Sequence, residues 1–444
     1  MSRRRGIALW IVAVLAVVGA VVAWIMLPPR ALSFAGGSPV ALADYKGPSP
    51  VGVPAALGGA DLVTRGRYLT EAADCVVCHT APGGQPFAGG LAFKTPFGTL
   101  YSPNITADKD TGIGAWSDDD FIRAVHKGVA KDGSNLYPAF PYESYTLMTD
   151  DDVRAIKAYL FSLPPVRATA PANALGFPFN QRWLMAFWSA FYNPDQRFMP
   201  HTDRSPEWNR GAYLVEALAH CGDCHTPRNL GQALNNRRKF AGALTNGWRA
   251  YNLTPDRGSG IGAWSDDEVA SYLSTGHTDG HGTAGGPMAD VVDASLSKLE
   301  PADIRAIVTY LRSVPPLSSP DQPAPRTTPA SDAPKAMEAS FDPRGKQVFE
   351  QACASCHSWS GVSTLTNNAT LTGNRAVNDS TAVNVAQIVI NGERRQTPNG
   401  VVMMPAFGAA YSDVEIAAVA NYVTARFGAK GSSLTAKDVA KLRQ

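Results

Sequence analysis

Charge of one sign is the first thing the chain lacks. Only 18% of its 444 residues are charged, and Lys+Arg at 40 nearly cancels Asp+Glu at 38, leaving a net charge of +2. There is no basic excess of the kind that binds a phosphate backbone, so nucleic acid is not an expected partner. With 45% apolar residues the chain is rich enough in core-forming side chains to be globular, and its length predicts two to four domains. No glycine-rich nucleotide fingerprint, phosphate-binding loop or nucleophile–base constellation appears, so no apparatus for oxidising a substrate is legible. Long apolar runs are equally scarce. The one example is Gly6–Leu27, 22 residues without a charge behind Ser2-Arg-Arg-Arg5. As a helix it is about 33 Å long, enough to cross a bilayer. Residues 1–30 are therefore expected to form a single N-terminal anchor in the inner (cytoplasmic) membrane, with the arginines inside and the soluble body in the periplasm. A cleaved signal ending near Ser33-Phe34-Ala35 is the alternative.

Cysteine is scarce too. All six cysteines fall in three Cys-x-x-Cys-His units: Cys75, Cys78, His79; Cys221, Cys224, His225; and Cys353, Cys356, His357. This spacing matches covalent attachment of haem c. Two thiols on adjacent turns bond the two vinyl groups, and the next residue offers an imidazole to the iron. Zinc or a redox dithiol would use Cys-x-x-Cys pairs, but neither explains a histidine directly after every pair.

Each unit sits in a larger repeat. A glycine-containing helix precedes it (RGRYLTEAAD from Arg65, RGAYLVEALAH from Arg210, RGKQVFEQA from Arg344). An amphipathic helix closes it (DVRAIKAYL from Asp152, DIRAIVTYL from Asp303, EIAAVANYV from Glu415), with Tyr159, Tyr310 and Tyr422 in matching places. The first two units share a long loop, Asn104–Asp120 and Asn252–Glu268, which the third lacks. Ser117 and Ser265, each followed by three acids, read as helix starts. Trp116 and Trp264 in these loops are expected to pack, or to donate to a haem propionate. The predicted fold is all-α: three tandem cytochrome c-like domains at 60–164, 207–314 and 341–428, each wrapped on one covalent haem, behind the transmembrane helix. An aromatic-rich bridge spans 165–206, where Gln181–Pro194 is expected to form a helix buried between the first two domains, or else a docking surface. A Pro-rich linker spans 315–340 and a short helix or tail 429–444.

A second axial ligand is expected late in each unit, and methionine there raises the reduction potential. Met404, before Pro405, is the choice in the third unit, with Met403 second. Met288 is the choice in the second, where His277 and His281 read as solvated loop residues. The first unit has Phe140 in the corresponding stretch. Its nearest methionine, Met148, is either an axial ligand or an apolar staple before a helix capped by Thr149; His126 is a remote third candidate.

With LYPAFPYESY, SPEWNRGAYLVEALAHCGDCHTPRN, GPMADVV and MPAFG in order, the chain resembles the triple-haem cytochrome c subunits of membrane-bound periplasmic alcohol and aldehyde dehydrogenase complexes over roughly residues 60–427. Its YPAFPY and FPFNQRWLM wording is nearest the aldehyde- or molybdenum-linked branch. The resemblance implies thioethers at all six cysteines, axial His79, His225 and His357, and axial Met288 and Met404. Many members carry methionine where Phe140 stands. It also implies a large dehydrogenase subunit of the quinone-cofactor, flavin or molybdenum type as partner, and electron flow through three haems to membrane ubiquinone, this chain not being a self-sufficient enzyme. Two other readings remain open: delivery to a terminal oxidase or soluble cytochrome without a quinone site, and small-ligand or peroxide chemistry at an open first haem.

Overall fold

The computed structural model describes residues 2–319, 321–330, 342–397 and 400–443. The apolar run forms α1 (Ser2–Met26), a spanning-length helix with no buried residue in its apolar window. The body is mostly helical, with four small sheets among the described residues.

Each repeat is built around one helix crossing. In the first, α2 (Leu62–Ala72) leads into the short α3 (Cys75–Cys78), followed by α4 (Asp118–Lys127), α5 (Tyr142–Tyr145) and the closing α6 (Asp150–Ser162). The bridge contributes α7 (Leu184–Tyr192). The second repeat comprises α8 (Pro206–Tyr213), α9 (Gly222–His225), α10 (Asp266–Thr275), α11 (Pro287–Ala294) and α12 (Pro301–Ser313). The third comprises α13 (Pro343–Val348), α14 (Ala354–His357), α15 (Val383–Asn391) and α16 (Asp413–Phe427), closed by α17 (Ala436–Leu442). The opening helix packs on the closing one at a glycine. A Cβ on Gly66 would stand 1.9 Å from the Ala155 carbonyl oxygen, one on Gly211 1.9 Å from that of Ala306, and one on Gly345 2.3 Å from that of Ala418. Tyr159, Tyr310 and Tyr422 flank the three contacts. Glycine is required here by close approach of backbones, not by its dihedral freedom.

The first two repeats share one hydrophobic core, while the third has its own, to which Val439 of α17 contributes. A reciprocal exchange ties the first two together. Tyr68 of α2 donates to Asp303 Oδ2 of α12 at 2.6 Å, and Tyr213 of α8 donates to Asp152 Oδ2 of α6 at 2.5 Å. These residues occupy matching repeat positions, so the two repeats are related by a pseudo-twofold. In the third repeat the matching residues are Gln347 and Glu415. Glu415 caps its own helix with Ser412 and faces Arg344, and that repeat stands outside the shared core.

One expectation needs correction. The bridge helix forms, but none of its residues is buried, and Trp183, Phe187 and Phe191 are 58, 60 and 68% exposed. The Pro-rich segment, expected as an extended linker, is held to the body along its described half. Ser319 donates to the Ala241 carbonyl, and Arg375 donates to the Gln322 and Pro323 carbonyls. Residues 320 and 331–340 of the linker lie outside the described residues.

Candidate haem sites

The three Cys-x-x-Cys-His units fold alike. In the first, Asp74 takes a left-handed turn (φ 55°) between α2 and α3. In the other two the opening helix widens into a π-helical turn, Leu214–Leu218 and Phe349–Cys353, just before or at the first cysteine. The two cysteines of each unit then lie on one short helical turn and the histidine follows at its end.

Each histidine is oriented by a backbone carbonyl. His79 Nδ1 meets the Pro103 oxygen at 2.8 Å, His225 Nδ1 that of Tyr251 at 2.6 Å, and His357 Nδ1 that of Ala369 at 2.6 Å. A carbonyl only accepts, so Nδ1 carries the proton and the Nε2 lone pair is free for a metal. Burial lowers the pKa of all three imidazoles, which favours the neutral, ligating form. Burial also pushes the thiols up, to about 12 at Cys75, Cys78 and Cys221 and to about 11 at Cys224 and Cys353.

The second and third units open onto one cavity of about 860 Å³. Cys221, Cys224, His225 and Met288 line one part; Cys353, Cys356, His357 and Met404 line the other. Its lining is mostly apolar. Oriented imidazoles, paired thiols and this apolar volume fit haem c. When bound, the group supplies one-electron redox chemistry; the chain holds it, excludes water and sets its ligands.

Met288 and Met404 are partly buried. Met403 is 65% exposed, although it too borders the cavity. Met148 is 2% exposed within the shared core, directly before the Thr149 cap of α6. His126 is buried as well, and its pKa falls to about 4 through desolvation. The loop histidines are less free than expected. His281 stacks on Trp264 with ring centroids 4.0 Å apart and lies 3.5 Å from Glu268, while His277 contacts Thr283 and Asp279. The acidic runs start helices as predicted, with complete capping boxes at Ser117/Asp120 and Ser265/Glu268.

Sequence reasoning missed the residues that join the sites. Glu393 accepts from the Gly286 amide at 2.6 Å, two residues before Met288, and pairs across a hairpin with Met404. Arg228 bridges Glu143 of the first repeat and Asp223 of the second, each at 2.9 Å. An ion pair between repeats has no spacing signature in one sequence.

Residues 63–164 and 209–315 match the "Cytochrome c" family model, and 342–423 match "Cytochrome C oxidase, cbb3-type, subunit III". Fold and site together define a multihaem c-type cytochrome, with haem c covalently bound. The chain is 40% identical over 401 residues to the gluconate 2-dehydrogenase cytochrome c subunit of Pantoea cypripedii, covering 86% of this chain and 90% of that one. It is 39% identical over 402 residues to the fructose dehydrogenase cytochrome subunit of Gluconobacter japonicus, covering 86% and 82%. A nicotinate dehydrogenase subunit of Pseudomonas putida is 42% identical over 372 residues, 83% of this chain but 31% of that protein, so the chain spans about a third of that relative. The chain belongs to the cytochrome c subunits of dehydrogenases, those of gluconate, fructose and quinone-dependent alcohol dehydrogenases among them, which are electron-transfer cytochromes.

Proposed function

We propose that the chain carries three haems c, one per repeat, and relays electrons from a periplasmic dehydrogenase subunit toward membrane ubiquinone. The observation that carries the count is the threefold recurrence of a Cys-x-x-Cys-His turn whose histidine has Nδ1 held by a carbonyl. Thioethers form at Cys75, Cys78, Cys221, Cys224, Cys353 and Cys356. His79, His225 and His357 are the proximal ligands, and Met288 and Met404 the distal ligands of the second and third haems. The domains run 60–164, 207–314 and 341–428. The partner is a large subunit of the quinone-cofactor, flavin or molybdenum type, supported by the dehydrogenase names of the relatives. The anchor α1 holds the chain to the inner membrane, with the body in the periplasm. The shared cavity, lined by both attachment turns, supports the second and third haems as direct exchange partners.

Gentle detergent purification from the native host, a haemochrome assay and mass spectrometry of what co-purifies test this together. Three haems per chain and a large redox subunit are expected. Two or fewer haems would sink the count, and an oxidase as the sole companion would replace ubiquinone as the acceptor.

A further inference from the structure

The bridge helix α7, LMAFWSAFY, contains no charged residue, and its aromatic side chains divide into two stripes. Trp188 and Tyr192 face the body. Trp188 Nε1 donates to the Gly231 carbonyl at 2.7 Å, and its ring meets Tyr142 edge-on at 5.8 Å. Trp183 at the N-cap, Phe187 and Phe191, at i, i+4 and i+8, form a second stripe about 100° round the helix and are more than half exposed. Leu230, beside the loop residue that receives Trp188, is 80% exposed. A row of this size on a soluble surface marks a contact.

What covers it is indicated by the other side of the same loop. Asn229 donates to the Met26 carbonyl at 2.9 Å, Asn236 to that of Pro29 at 3.0 Å and Arg237 to that of Leu27 at 3.1 Å. The Arg237 guanidinium also lies 4.4 Å from the centroid of the Trp24 ring. The loop 229–237 therefore grips the exit of α1 at both ends, through Asn229 and through Asn236 and Arg237, and seats α7 at Gly231 between them. If α1 spans a bilayer, the exposed stripe of α7 stands beside the point where the chain leaves it. Aromatic side chains belong at that depth, in the headgroup layer. Arg182, Arg237 and Arg238 lie around the stripe and the loop and suit anionic headgroups.

We propose that α7 is a second membrane contact: its Trp183–Phe187–Phe191 face lies in the headgroup region of the bilayer that α1 crosses, so the first two repeats are pressed to the membrane at two points rather than hung from one. The proposal rests on α1 being retained as an anchor.

The test uses the full chain with its haems in nanodiscs of phosphatidylethanolamine and phosphatidylglycerol. With the native cysteines in thioethers, Phe187→Cys supplies a free thiol for a fluorescent label, and the unsubstituted chain is the blank. Asp151→Cys, on a side chain 85% exposed, is the aqueous control, and Phe191→Cys replaces Phe187→Cys should that variant misfold. The expected result is loss of emission at 187 with lipids brominated near the headgroup and protection from iodide, with the reverse at 151. Iodide access at 187 equal to that at 151 would overturn the proposal. So would iodide protection without bromine quenching, which would mean that another protein covers the stripe. Intact mass of the same preparation reads the anchor separately. A chain lacking residues 2–26 sinks the anchor reading, whereas a full chain with an unquenched label sinks only the α7 contact.

Discussion

At the residue scale, donor supply ranks the two tyrosine–aspartate contacts. Asp303 keeps Arg210, which reaches it through Nε at 2.8 Å and Nη2 at 2.6 Å, if Tyr68 is removed. Asp152, losing Tyr213, falls back on the Gly52 amide at 2.9 Å. Tyr213→Phe should therefore destabilise by about 2 kcal/mol and Tyr68→Phe by about 1, within the range for a buried polar group losing a partner; denaturant midpoints would show the order. Gly211→Ala should cost roughly 3 kcal/mol, the upper part of the overpacking range, because its Cβ meets backbone that cannot rotate away. At the haem ligands, Met404→Ala should leave one haem five-coordinate, able to bind carbon monoxide and with a lowered potential. Equal carbon monoxide binding by variant and parent would remove Met404 from that role.

At the element scale, much of the fold was legible in the sequence. The opening and closing helices announced themselves by repetition and 3.6-residue periodicity, and the serine-plus-acid starts by their capping chemistry. The Cys-x-x-Cys-His turns were legible because the thiols and imidazole are fixed by local spacing. The carbonyls that orient the histidines were not, since Pro103 and Ala369 contribute only backbone. Nor was the exposed side of α7, because an aromatic helix reads the same whether a protein or something else covers it. The Glu143–Arg228–Asp223 cluster joins elements of two repeats and leaves a pH signature. Burial and Asp223 push the Glu143 carboxyl up to about 7, against the pull of Arg228. Its pKa is higher folded than unfolded, so its contribution is complete at acid pH and is lost as pH rises from about 4.5 through 7. Glu143→Gln should flatten that fall, measured as the denaturant midpoint between about pH 4 and 8.

At the scale of the whole molecule, one arginine joins the third repeat to the second. Arg395 is 2% exposed and reaches Asp293 at 2.5 Å and the Thr275 and Gly276 carbonyls at 3.1 and 3.2 Å. It thus places a cation at the carbonyl end of α10, where the helix dipole is negative. Arg395→Met should weaken docking of the third repeat by about 3 kcal/mol, as expected for breaking a buried pair. The expected sign is a larger radius of gyration with unchanged haem content; an unchanged radius would show that the other contacts suffice.

The close fit of the first two repeats bears on how the molecule is made. Ala73 and Asp74, flanking the first attachment turn, meet the second at their interface. Tyr145, which donates to the Ala73 carbonyl, stacks edge-on against His220 at 5.2 Å, and Cys224 stands near enough to Cys78 to raise its thiol pKa. These contacts crowd Cys75, Cys78 and Cys221, which are partly buried, while Cys224 stays exposed. Attachment is therefore expected to go most readily while the two repeats are still apart, and a cell short of haem to accumulate an unclosed pair, which greater sensitivity to limited proteolysis would reveal.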